Sequence, residues 1–134
     1  MWFVFEFDPS GRVYVNQRSW DKEFYKGHWS IVLGGHVHSG ETYEQAVARE
    51  LPEETGLQGE PFYMADFRKR IDPDDRENVR VFGYTANREP ELDRAEFVGG
   101  EYMTDGGLRR KLMTKRFLPE TPRLLRILND YRLI

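Results

Sequence analysis

The sequence predicts an α/β fold, an α/β/α sandwich built on a mixed central sheet. Three observations point to it. Strand-like and helix-like patterns alternate irregularly along 134 residues, a length that suits a single domain spanning 1–134. A stretch from Thr42 to Thr55 carries an apolar arc at helical spacing. A second helical stripe, Leu124, Leu125, Ile127 and Leu128, lies near the C-terminus and is expected to pack on the sheet.

Taken in order, Trp2 to Phe7 is aromatic and β-branched and reads as a strand. Asp8-Pro9-Ser10-Gly11 is a turn, because Pro presets φ and Gly accepts φ > 0. Arg12 to Arg18 alternates, with Val13 and Val15 on one face, and completes a β-hairpin. His28 to Leu33 is expected to be a strand leading into Gly34-Gly35. Thr42, with Gln45 three residues on, predicts a capped helix start, and Thr55-Gly56 its end. Pro52 falls inside that helix on its outward side, where a local kink or widened turn is expected. Glu60 to Ile71 and Val79 to Ala86 read as strands, joined by an acidic turn from Asp72 to Asn78. Thr104-Asp105 can cap a short helix through Leu112, and Thr121-Pro122 is an N-cap and first-turn pair.

Hydrophobic residues make up 39% and charged residues 32%, the balance of a globular chain. A net charge of −3 gives no electrostatic footprint for nonspecific nucleic-acid binding. There is no Cys, which excludes disulfides and thiolate catalysis and is compatible with the expected location, a reducing cytoplasm. No apolar run approaches the ~20 residues needed to span a bilayer, and Met1-Trp2-Phe3 lacks the basic start of a signal peptide. No membrane partner is expected, and the oligomeric state stays open.

The charges of the central helix carry the chemistry. Glu50, Glu53 and Glu54 are spaced i, i+3, i+4 and cluster on one side. Tyr43, Ala46, Val47 and Leu51 form the apolar arc, and Glu50 and Glu54 fall inside it. Carboxylates aimed at the protein body must be neutralised by protons, by Arg or by metal. Arg49 can reach Glu53, but one guanidinium cannot balance Glu41, Glu50, Glu53 and Glu54. A hard divalent cation, Mg2+ or Mn2+, with oxygen ligands would.

Gly35, Glu41, Arg49, Glu50, Leu51, Glu53, Glu54, Gly56 and Leu57 fill every defined position of G-x5-E-x7-R-E-U-x-E-E-x-G-U, where U is aliphatic. By this box, residues 35–57, the chain resembles the Nudix (MutT-like) hydrolases. Asn16-Gln17-Arg18-Ser19, the segment Asp21 to Trp29 and Gly34-Gly35-His36-Val37 resemble a subgroup related to isopentenyl diphosphate isomerases. The resemblance implies a Nudix-type sandwich and metal-dependent cleavage of a pyrophosphate bond in a nucleoside diphosphate linked to another moiety.

It also implies site roles. Glu50 and Glu54 would be the main metal ligands, supplemented by Glu53 and the Gly34 carbonyl beside Gly35, with Gly35 at the substrate. Arg49 would hold the carboxylates, together with Glu41. The general base would be Glu53, then Glu96, the acidic residue before the last strand, with Glu101 its runner-up. Arg18 could hold a substrate phosphate, or pair with Asp21 or Glu23 at the surface. Phe67 and Tyr84 are candidates for base stacking, against core packing, which is the expectation for Trp29. His36 and His38 read as exposed loop residues, since soft imidazole is not what a Mg2+ site needs. Two readings compete with the hydrolase. One is an isopentenyl diphosphate isomerase, disfavoured because that chemistry uses a Cys. The other is a non-catalytic nucleotide-sensing module, although such modules tend to have lost box acids that are all present here.

Overall fold

Alternation along the first strand, β1 (Trp2–Phe7), decides the layering, because successive side chains point to opposite faces. All six residues are buried, so β1 is covered on both sides. Phe3, Phe5 and Phe7 pack with Leu108, Leu124 and Leu128. Trp2 and Val4 pack with Ala46, Val47 and Leu51. The computed structural model describes residues 1–57, 59–72, 75–86 and 88–132.

The other strands are β2 (Val13–Arg18), β3 (Trp29–Ser30), β4 (Leu33–Gly35), β5 (Phe62–Asp72), β6 (Asp75–Thr85) and β7 (Phe97–Met103). The helices are α1 (Tyr43–Thr55), α2 (Asp105–Thr114) and α3 (Thr121–Arg132). The sheet runs β3-β2-β1-β6-β5, with β4 also pairing β1 and β7 pairing β2. β1 and β6 are parallel and the remaining pairs antiparallel, so the sheet is mixed. α1 covers one face and α2 with α3 the other, the expected sandwich. No helix among the described residues is long and apolar enough to cross a membrane.

α1 begins and ends as its sequence dictates. The Thr42 hydroxyl accepts from the Gln45 N–H at 3.1 Å and the Gln45 side chain accepts from the Thr42 N–H at 2.9 Å, a complete capping box. Gly56 terminates the helix at φ 71°, where a side chain would be strained, and its N–H donates to the Pro52 carbonyl. The helix is continuous through Pro52. Pro52 and Ala48 are both exposed, so water can reach the carbonyl that Pro52 leaves unpaired.

Three expectations need correction. The strand expected from His28 to Leu33 is two short ones, because β3 pairs with β2 and β4 crosses to pair with β1. The acidic turn expected from Asp72 to Asn78 is mostly strand, since Arg68 faces Asn78, Lys69 faces Glu77 and Asp66 faces Arg80 across the ribbon. Opposite charges there stabilise pairing. Pro73 and Asp74, at the centre of that turn, lie outside the described residues. Thr121 opens α3 but does not cap it: its buried hydroxyl has no partner among the described residues, and the Glu120 carbonyl accepts the first helical bond, from Leu124.

Candidate active site

The β4–α1 junction sets Glu50 against the paired glycines. A Cβ on Gly35 would stand 2.6 Å from the Glu50 Oε2 and 2.6 Å from the Trp2 ring, so only Gly fits beneath this carboxylate. A Cβ on Gly34 would instead meet the Phe3 ring at 2.7 Å, away from the acids. The close approach that demands Gly beside the acids is therefore at Gly35. Trp2 Nε1, on the same indole, is buried with no hydrogen-bond partner among the described residues.

Arg49 is locked in place. Its Nε and Nη2 donate to the two carboxylate oxygens of Glu41, each at 2.9 Å, and Nη2 also donates to Glu50 at 3.1 Å. The reach to Glu53 that spacing allows is not used. The Glu41 carboxyl is held down at about 2, first by these Arg49 bonds and then by the His38 backbone N–H. Glu41 and Arg49 thus form one rigid unit that steadies Glu50 from the side.

Glu50 is largely covered, whereas Glu53 and Glu54 are exposed as whole residues. Even so, the Glu54 carboxyl is partly desolvated and hydrogen-bonded to Glu50. Burial first, then that bond, then the charges of Glu50, Glu53 and Glu96 push it up to about 7. Glu53 makes no hydrogen bond among the described residues and faces water. Glu96 lies just before β7, close enough for its charge to act on Glu54, and forms an ion pair with Lys22.

Arg18 pairs with neither Asp21 nor Glu23. Its Nη2 donates to the Phe24 carbonyl at 3.1 Å, and its buried Nε has no hydrogen-bond partner among the described residues. His36 and His38 are exposed, as expected, at 3.8 Å from Glu77 and Glu41. Phe67 and Tyr84 are buried core residues, so neither offers a face for stacking. Trp29 is half-buried against the core. Glu101 faces a separate cavity of ≈ 440 Å³ near the N-terminus of α2, at the far end of β7 from Glu96. Sequence reasoning missed the exposed rings of Trp20, Phe24 and Tyr25; their crowding within six residues of polar turn sequence was the available signal.

Among the described residues no three His, Asp or Glu side chains converge on one point. The donor set nevertheless suits a hard divalent cation. Glu50 and Glu54 are in contact, all the nearby side-chain donors are carboxylate oxygens, and the exposed Glu53 is free to turn in.

The NUDIX domain family model matches residues 2–116. An uncharacterized Nudix hydrolase of Pseudomonas aeruginosa is 40% identical over 55 residues, 41% of this chain and 32% of that protein. An isopentenyl-diphosphate Delta-isomerase of Leifsonia xyli is 37% identical over 68 residues, 48% of this chain and 37% of its own length. The chain thus spans about a third of the length of the curated relatives it matches. In three dimensions, DR0079 of Deinococcus radiodurans superposes with a TM-score of 0.74 at 25% identity, over 93% of this chain and 80% of that one. The NUDIX domain of Shewanella oneidensis NrtR, solved with ADP ribose, gives 0.67 at 15% identity, over 99% and 85%. The box read from the sequence, the sandwich and the match over residues 2–116 agree, and the chain belongs to the NUDIX domain family.

Proposed function

We propose that this chain is a divalent-metal-dependent hydrolase, acting in the cytoplasm on the pyrophosphate bond of a nucleoside diphosphate linked to another moiety. The supporting observation is the Glu50 carboxyl, seated against Gly35, clamped by Arg49 and in contact with Glu54. Glu50, Glu54, Glu53 and the Gly34 carbonyl would hold Mg2+ or Mn2+. When bound, the cation neutralises phosphate oxygens and activates water for in-line attack at phosphorus. Glu53 is free to take the proton from that water. Glu96 is second as base, because Lys22 already engages it. Arg49 keeps Glu50 and Glu41 fixed while charge moves. The ligand of the Shewanella domain, ADP ribose, is of the proposed substrate kind.

A panel of nucleoside diphosphate derivatives, with Mg2+, Mn2+ or EDTA and with products identified, tests this reading. Turnover of at least one compound that EDTA abolishes is expected. Binding without turnover under either metal would make the chain a nucleotide-sensing module instead. Arg49→Lys loses the two-pronged hold on Glu41, and Mn2+ affinity by calorimetry should fall roughly 10- to 100-fold. An unchanged affinity would show that the clamp plays no part in metal binding.

A further inference from the structure

We infer that the β2–β3 loop, residues 19–28, is the platform that recognises the planar base of the substrate, with Trp20 and Phe24 as its specificity-determining residues. This rests on the proposed nucleotide reading and names which part of the chain would read the base.

Three large rings stand in water within six residues: Trp20 at 64% exposure, Phe24 at 67% and Tyr25 at 50%. Leaving that much apolar surface wet forfeits burial free energy at each ring, and clustered exposed rings mark binding surfaces. The loop that carries them is held rigidly. The Ser19 N–H donates to the Glu96 carbonyl at 2.9 Å, Gln17 Nε2 to the Gly27 carbonyl at 3.1 Å, and Arg18 Nη2 to the Phe24 carbonyl at 3.1 Å. The Trp20 ring lies over Gly27 so closely that a Cβ there would be 2.4 Å from it. Tyr25 adopts φ 54°, a left-handed conformation costly for an aromatic residue, and its ring meets His28 edge-on at 5.4 Å between centroids. Rings on such a fixed loop lose little conformational freedom when a ligand stacks on them.

Placement ties these rings to the acidic site. Lys22, two residues from both Trp20 and Phe24, forms its ion pair with Glu96, whose charge acts on Glu54. A diphosphate at the acids would therefore lie beside the loop. Every base has a π-face, and stacking on an aromatic side chain is favourable for all of them. The rings predicted for this task, Phe67 and Tyr84, are enclosed in the two cores.

The test uses the full chain with ADP, GDP, CDP and UDP, and with inorganic pyrophosphate as the base-free control. Calorimetry reads affinity in every variant, tryptophan fluorescence reads stacking in the wild type, and phosphate release reads turnover. At least one nucleoside diphosphate should quench the fluorescence, and Trp20→Phe should retain its affinity. Trp20→Ala and Phe24→Ala should each weaken nucleotide affinity roughly tenfold, with binding of pyrophosphate unchanged. Nucleotide binding here, with no turnover in the panel of nucleoside diphosphate derivatives, would sink the hydrolase and leave the platform standing. Pyrophosphate bound as tightly as every nucleotide, or alanine variants with wild-type nucleotide affinity, would overturn the platform and leave hydrolysis untouched. So would a sedimentation measurement in which Phe24→Ala dissolves a dimer while nucleotide affinity stays put.

Discussion

Glu53→Gln should yield a folded chain whose turnover is lower by roughly 10²- to 10⁴-fold, the usual contribution of a positioned general base. The fold should survive because Glu53 is exposed and makes no hydrogen bond among the described residues. Glutamine keeps the size and the capacity to accept a hydrogen bond but cannot take up a proton. Melting temperature and metal affinity separate the roles. A steep loss of turnover with Mn2+ affinity preserved identifies a base, whereas parallel losses identify a ligand. Full activity in the variant would remove Glu53 from both and bring Glu96 forward, in which case Lys22 has to release it.

The second large effect is on stability. Glu6 is 1% exposed, and among the described residues neither carboxylate oxygen has a hydrogen-bond partner. It shares a sheet face with Trp2 and Val4 and is in register with Tyr84 of β6. Tyr14, Tyr84 and Tyr102 are near enough that its charge, after their own burial, opposes their ionisation. Burial pushes the Glu6 carboxyl from 4.5 up to about 8. Below pH 4.5 both folded and unfolded chains hold this proton, and it has no effect. Between 4.5 and 8 the unfolded chain gives it up while the native chain keeps it, so stability falls as pH rises and levels off above 8. Glu6→Gln, which mimics the neutral acid, should remove that decline. Denaturant titrations at pH 5 and pH 9 should show the variant gaining a few kcal/mol on the wild type across the interval. A constant difference between the two proteins would mean that Glu6 is hydrated or paired in solution.

Local rules made much of this molecule legible. The capping box at Thr42 and Gln45, the Gly56 stop, the Asp8–Gly11 turn and the β1–β2 hairpin depend on neighbouring residues, and each stands where the sequence put it. Fixed spacing likewise fixed the box: Glu41 and Arg49 are eight residues apart and meet through two hydrogen bonds. What escaped depends on distant partners. Trp29–Ser30 and Leu33–Gly35 look like one strand until β1 and β2 compete for them. Glu77 and Asn78 read as a loop because the residues they face, Lys69 and Arg68, lie across a long ribbon. Glu6 looks like ordinary alternation in an aromatic strand, and only the covering of that face by α1 turns it into a buried acid. Phe67 and Tyr84 could not be told from exposed aromatics by pattern, since burial is decided by what packs on them.

The position of β1 has a consequence for how the chain reaches this state. β1 lies in the middle of the sheet, yet Trp2 is in register with Arg80, and the pairing between them is parallel. The most apolar strand, β1, is made before its central neighbour β6 and waits while the long stretch between them is synthesised. Closing so large a loop slows assembly, and in that interval β1 is the segment most exposed to aggregation.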